Sequence, residues 1–429
     1  MNMNNSVALV ATGMMLVTTV AAQDSSLSLS VGVTHSDNIG RVSQNKQSET
    51  MPEAGLHVRV ERKGRLDANL STDLLYRGYS NNSFNDELLG GLDARLGYAF
   101  IEDRFSWTIE DNFGQSLIDP QAVETPGNRQ NFNYLSTGPN ITLPLGGRTS
   151  LAISGRWSDV SYGESDLENQ RLSGTIGLVR GLGKTSSISA NVAAQRVEYD
   201  KSPPNSDYDL QSAYLAYEAE GVRTRLRLRS GYTALHDFGD TTNGPLLHLA
   251  LSRETSARST LSVDAGTELN DSADTFRRDR DIGGVSLVTE DAIASRDPFQ
   301  QDYATVAWTF SGEHTTLRLS ADWRREDHES VFALDRERIG AGISLLRRVG
   351  PRLTATLYGN HNTEDFDVTG VDFDEWSAGA GFDWRFSESY SVSVRAERYD
   401  GSGDTSVGSG LRNYEETRYS LRFSYSHGR

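Results

Sequence analysis

The sequence predicts an all-β fold: a closed antiparallel transmembrane β-barrel of about 20 strands, with about 18 and about 22 as the nearest alternatives. Three observations predict it. Polar and apolar residues alternate along successive segments, short and long connections alternate between those segments, and aromatic residues collect at the segment ends. All three are typical of outer-membrane barrels, in which each strand has one face on lipid and one on the lumen.

The alternation has a period of two, which gives an extended strand one apolar face and one polar face. In the first segment the apolar positions are Leu27, Leu29, Val31 and Val33. In the last they are Tyr419, Leu421, Phe423 and Tyr425. Segments of about ten residues have the length that a tilted strand needs to cross a bilayer.

The connections alternate strictly in length, and a long one comes first and last. Barrels of this kind have short periplasmic turns and longer extracellular loops, so both chain ends are expected on the short-turn side. Two of the long loops are expected at 235–244 and 360–374.

A soluble β-sandwich is the alternative, since apolar strand faces could also pack against a second sheet. Aromatic pairs favour the barrel: Phe100 and Phe105 flank a short turn, as do Phe386 and Tyr390. Aromatic girdles are typical of both membrane interfaces. In lipid, an open sheet edge would leave backbone groups unsatisfied, so the sheet must close.

Residues 1–22 are predicted to be a cleaved signal peptide, because an apolar stretch precedes Val20 and Ala22, which suit the −3 and −1 cleavage positions. A retained anchor helix is the alternative. Residues 23–429 then form one barrel domain in the outer membrane of a Gram-negative cell. Its expected partners are outer-membrane lipid, lipopolysaccharide and the barrel assembly machinery. With a formal net charge of −17, no nucleic acid partner is expected.

Arginine stands at every second position from Arg223 to Arg229 in the stretch RTRLRLRSGY. On a spanning strand the leucines would face lipid and the arginines the lumen, because a charge at the lipid midplane costs about 2–4 kcal/mol. Either facing acids neutralise these arginines, or the arginines select anions. The predicted basic stripe of the lumen is Arg225, Arg227, Arg229, Arg318, Arg338, Arg385 and Arg422.

Most of the acidic excess lies in loops, which are either solvated or bind a divalent cation. Hard cations such as Ca²⁺ and Mg²⁺ need several oxygen ligands within reach. The candidate ligands are Asp365, Asp367, Asp372 and Asp374. No other cofactor is expected.

Two long connections stand out, at 116–130 and 270–300. The first is either an ordinary external loop or a constriction folded into the lumen, and the second could hold an extra hairpin or partly plug the lumen. No catalytic activity is expected, because the eight histidines are scattered. The only group that merits inspection for catalysis is Asp322 with His328.

The opening segment, with its turn His35-Ser36-Asp37-Asn38-Ile39, resembles the start of porin-like outer-membrane barrels associated with exopolysaccharide gene clusters. The resemblance implies a barrel that assists transport or export of a polysaccharide. With the lumen arginines, the expected cargo is an acidic polysaccharide or another anionic solute. A general diffusion porin is one alternative, and a structural or adhesive surface protein with cation-binding acidic loops is another.

Overall fold

The protein is a closed barrel. Its computed structural model describes residues 24–200, 207–237, 240–277, 294–403 and 413–428. These residues form twenty β-strands in one sheet. Each strand pairs antiparallel with the next, and the last pairs with the first, which closes the sheet. The prediction of an all-β, closed antiparallel barrel is confirmed. The predicted signal peptide, residues 1–22, lies outside the described residues and stays a prediction.

The strands are 12 to 18 residues long. In chain order they are β1 Asp24–Ser36, β2 Glu49–Arg62, β3 Leu66–Arg77, β4 Glu87–Ile101, β5 Phe105–Leu117, β6 Arg129–Gly146, β7 Thr149–Tyr162, β8 Asn169–Gly181, β9 Ser186–Tyr199, β10 Tyr208–Glu220, β11 Thr224–Asp237, β12 Asp240–Ser256, β13 Ser259–Asn270, β14 Phe299–Ser311, β15 Thr315–His328, β16 Arg336–Arg348, β17 Leu353–Phe366, β18 Val371–Arg385, β19 Tyr390–Ser402 and β20 Tyr414–Gly428. One short helix, α1 (Ser272–Arg277), follows β13, and 3-10 turns occupy Pro126–Asn128 and Phe332–Leu334.

The prediction of long loops at 235–244 and 360–374 was wrong, because strand pairing continues through most of both stretches. β11 runs to Asp237 and β12 begins at Asp240. β17 and β18 stay paired up to Phe366 and Val371. Polar residues occupy both faces there, so the period-two contrast disappears from the sequence although the backbone ladder persists.

The two faces of the sheet can be told apart by contacts that cross the barrel. Arg171 on β8 pairs with Asp271, which follows β13, so Arg171 lies on the inner face. Directly opposed residues on neighbouring strands share a face, and the register extends this assignment around the sheet. The outer face carries widely exposed apolar side chains, such as Leu172 (66%), Val192 (63%) and Tyr232 (70%).

The inner face is packed at the end of the barrel that bears the long connections, which we call the mouth. α1 folds inward there, and Phe276 stacks on Phe132 of β6 with ring centroids 4.1 Å apart. One buried cluster comprises Phe132, Tyr134, Val160, Tyr162 and Ala273. A second comprises Val197, Tyr199, Tyr208, Leu210, Leu235 and Leu269.

Toward the short-turn end, inner-face side chains are open to water. The side chain of Arg225 is 66% exposed and that of its partner Glu220 is 68% exposed. The barrel therefore combines a packed mouth with an open, charged lumen beneath it.

Candidate lumen site

The three arginines of β11 lie on the inner face, where the register opposes them to β10 and β12. Arg225 forms an ion pair with Glu220 at 3.0 Å. Arg227 stands opposite Glu218. This part of the stripe fits the interpretation in which facing acids neutralise the arginines.

Arg229 differs from its neighbours. It stands opposite Ala216 on β10 and His248 on β12, and His248 itself contacts Asp264 at 3.1 Å. Within the described ranges Arg229 forms no ion pair, and it is exposed to the lumen. Its guanidinium therefore keeps donors that a carboxylate could use.

The other four predicted stripe arginines also lie on the inner face. Arg422 on β20 pairs with Glu53 on β2 at 3.1 Å. Arg338 stands opposite Glu364 on β17, and Arg318 stands opposite Ser344. Arg385 on β18 stands opposite Ser391 and has no ion pair among the residues that the structure describes.

The structure does not bring the four aspartates proposed for a cation together in one group. Asp365 stands opposite Asp372 on the outer face, Asp374 contacts His361 at 2.9 Å, and Asp367 is 3.9 Å from Arg325. The described part of the chain contains no group of three or more potential metal-ligating side chains. The strands run on past the expected loop, so these acids are spread along an extended ladder.

Asp322 and His328 do not form a catalytic pair. Both lie on the inner face of β15, but six residues separate them, which is about 20 Å along a strand. His328 is buried against Phe299, with ring centroids 4.9 Å apart. Asp322 lies close to Gly340 instead.

A buried ion pair at the mouth was not foreseen from the sequence. Arg171 donates to Asp271 Oδ2 at 2.7 Å, and Tyr208 donates to the same oxygen at 2.6 Å. Burial would raise the pKa of Asp271, but the Arg171 guanidinium and these hydrogen bonds outweigh it and hold the pKa below its usual value. The pair fixes the start of α1 against β8 and β10.

A second unforeseen contact centres on Arg41, in the loop between β1 and β2. Its guanidinium pairs with Glu416 at 3.1 Å and Glu375 at 3.3 Å, and lies 4.9 Å from the ring centroid of Tyr399. Burial alone would lower the pKa of Arg41, but Glu375 and its other acidic neighbours raise it well above its usual value. Arg41 is therefore a permanent cation that ties its loop to β18 and β20.

The turn at 35–39 folds this same loop over the mouth. The Asn38 side chain donates to the carbonyl oxygens of Val42 and Glu415. Ile39 is fully buried against Met51 and Tyr79. The contacts of this turn are thus structural, and they join the first loop to the last strand.

A third buried group lies where β15, β16 and β17 reach the mouth. Arg336 donates to Glu326 at 2.9 Å and to Glu364, and Arg336 and Glu326 are almost fully buried. The sequence carried one signal for this group: the period-two alternation places Arg336 and Glu326 at inner-face positions close to predicted loops.

None of the described helices is long and apolar enough to cross a membrane.

The sequence matches no known family and no curated protein. Several solved structures match this chain over most of its length at low identity. The FrpB iron transporter of Neisseria meningitidis (F5-1 variant) is 10% identical, with a TM-score of 0.48 over 94% of this chain and 81% of that chain. A mutant of the ferric enterobactin receptor PfeA of Pseudomonas aeruginosa is 8% identical, with a TM-score of 0.46 over 94% of this chain and 80% of that chain.

A third solved structure matches nearly end to end. It is Pseudomonas aeruginosa OccK2 (OpdF) in complex with glucuronate, at 11% identity and a TM-score of 0.39 over 94% of this chain and 98% of that chain. At such identities, likeness to any of these proteins concerns the barrel fold alone.

Proposed function

We propose that the protein is an outer-membrane β-barrel channel of a Gram-negative bacterium that passes an anionic solute. The specific solute in this proposal is an acidic polysaccharide that is exported from the cell. The apolar belt on the outer face supports the membrane location, because only a closed barrel or a helix satisfies its backbone in hydrocarbon. The lipid and lipopolysaccharide around this belt, and the barrel assembly machinery, are the partners that go with such a location.

The observation that carries the anionic cargo is that the lumen arginines Arg229 and Arg385 form no ion pair with any residue that the structure describes. Arg229 on β11 and Arg385 on β18 lie seven strands apart in a ring of twenty, so they present cations to the lumen from two separate walls. Arginines lining a pore favour anions, and the planar guanidinium binds carboxylates through two hydrogen bonds. The choice of a polysaccharide rests on the resemblance carried by residues 35–39.

Planar-bilayer recording tests this proposal. Under a salt gradient the reversal potential should show preference for the anion. Oligosaccharides of uronic acids should reduce the current, whereas neutral oligosaccharides of equal length should not. A cation-selective or electrically silent barrel would refute the proposal, and equal block by neutral and acidic sugars would leave a general diffusion porin as the better description.

A structural or adhesive surface protein is the second candidate, and the packed mouth favours it. The loop anchored by Arg41 and the short helix α1 anchored by Asp271 cover part of the opening, and a covered barrel suits a scaffold better than a wide pore. Under this alternative, removing the outer ends of the loops would abolish cell attachment and leave solute permeability unchanged.

A further inference from the structure

The connection between β5 and β6 reaches the opposite side of the barrel. The Nε2 of Gln121 in this connection donates to the carbonyl oxygen of Ala333, between β15 and β16, at 2.6 Å. From β5 to β15 is ten strands in a closed ring of twenty, so the two hairpins stand diametrically opposed. The segment 118–128, which we call the crossbar, therefore spans the mouth.

The crossbar is braced from within. The Asn128 side chain accepts from the backbone N–H of Asp119 and donates to its carbonyl oxygen, both at 2.8 Å. The backbone N–H of Gln121 donates to the Asp119 carboxylate at 2.9 Å. Pro120 and Pro126 further restrict the backbone. The crossbar is therefore a compact loop whose two ends lie close together, and loops of this kind are often functional.

Ion pairs hold the crossbar from the side. Glu124 lies 3.5 Å from Arg129 at the start of β6 and 3.8 Å from Arg41. Arg41 is buried and is itself paired with Glu416 of β20. The loop 37–48 and the crossbar are therefore joined through charges that are largely shielded from solvent, which salt screens less than exposed pairs.

The segment around Ala333, on the far side of the mouth, is also held in place. Asp297, just before β14, accepts hydrogen bonds from the backbone N–H groups of Ser330 and Val331. Leu334 packs against Phe366 and Val371. The crossbar and the segment around Ala333 are thus both anchored to strands, and the Gln121–Ala333 hydrogen bond links them.

We propose that the crossbar is the size-limiting element of the channel, and that the link between Gln121 and Ala333 must open before a polymer chain can pass. This inference rests on the proposed channel function. Pore cross-section governs what a barrel passes, and a bar across the mouth divides one wide opening into two narrower ones. Small anions pass beside the bar, whereas a hydrated sugar chain requires its displacement.

The chain contains no cysteine, so engineered thiols can report on the crossbar without background. Gln121→Cys with Ala333→Cys should be joined by a short bifunctional thiol reagent. The control pair, Gln121→Cys with Lys184→Cys on the short-turn side, should not. Joining the first pair should abolish entry of oligosaccharides into proteoliposomes and preserve chloride conductance, and reduction of a cleavable reagent should restore entry.

Removal of residues 119–127 should raise single-channel conductance roughly twofold or more. Gln121→Ala, which preserves the loop and removes only the link, should speed oligosaccharide entry if the deletion variant does not fold. Conductance and entry rates at the wild-type level in these variants would overturn the crossbar proposal while leaving the channel standing. A folded deletion variant that stays electrically silent would instead overturn the channel function itself.

Discussion

At the scale of single residues, the inner face carries arginines of two kinds. Arg225 at the short-turn end has an exposed acidic partner, and such pairs contribute little stability. Arg171 at the mouth is buried with its partner, and there the loss of one member leaves an uncompensated charge. The exposed arginines set the electrostatic potential that a solute meets in the lumen, and the buried arginines stabilise the fold.

Substitution of the exposed set should change ion selectivity. Replacing Arg225, Arg227 and Arg229 together with glutamine should shift the reversal potential away from anions. Glu218→Gln with Glu220→Gln on the facing strand should shift it toward anions. Low salt is the sensitive condition, because exposed charges are screened beyond about 10 Å at 0.1 M.

Arg258→Gln, in the short turn between β12 and β13, is the control for this experiment and should leave the permeability ratio unchanged. Shifts of the same sign in the arginine and glutamate series would contradict a role for the β11 stripe.

Substitution within the buried set should change stability. Arg171→Gln strands Asp271 in a buried site and should lower the free energy of unfolding by about 3–5 kcal/mol. The exposed Arg225→Gln should lower it by about 1 kcal/mol or less. Urea unfolding in lipid vesicles measures both. Equal losses of unfolding free energy in the two variants would show that burial of the Arg171–Asp271 pair adds nothing to stability.

At the scale of elements, β3 and β4 depend on one glycine. Gly90 has a φ of 102°, and a Cβ there would lie 1.8 Å from the carbonyl oxygen of Asp73. Side-chain-bearing residues rarely adopt that conformation. Gly90→Ala should therefore either displace β3 from β4 or reduce the folded fraction.

Heat-modifiable migration on gels measures the folded fraction of such barrels. Gly114→Ala on β5 is the matched control, since a Cβ at Gly114 would meet no atom within 4 Å. A folded fraction of Gly90→Ala equal to that of the control would show that the β3–β4 pair tolerates a side chain at this point.

The strands of the barrel could be predicted from the sequence, because each apolar face is continuous and local. Leu27 to Val33 and Tyr419 to Tyr425 alternate without a break, and the structure pairs these two strands directly. Strand ends were harder to predict. Near Asp237 and Phe366 both faces turn polar, so the periodicity ends before the hydrogen-bond ladder does.

The contacts at the mouth could not be predicted from periodicity. Gln121 and Ala333 are separated by 212 residues, and Arg171 and Asp271 by 100. Neither pair leaves a local pattern, because each depends on how the ring of strands closes. The inner-face phase of Arg171 was readable in the sequence, whereas its partner was not.

At the scale of the whole molecule, the two faces of the sheet contact different media. The outer face must contact hydrocarbon and the inner face must enclose water, since the opposite arrangement would place the β11 arginines in lipid at about 2–4 kcal/mol each. Anion selectivity in the lumen and passage beside the crossbar both require this arrangement.

Thiol accessibility in reconstituted lipid vesicles tests this claim most directly. Val192→Cys and Leu215→Cys lie on the outer face, and their neighbours Ala193→Cys and Ala216→Cys lie on the inner face. A small water-soluble thiol reagent should label the inner-face pair, whereas a lipid-soluble quencher should reach only the outer-face pair. Labelling of the outer-face cysteines by the aqueous reagent, with the inner pair protected, would contradict the account.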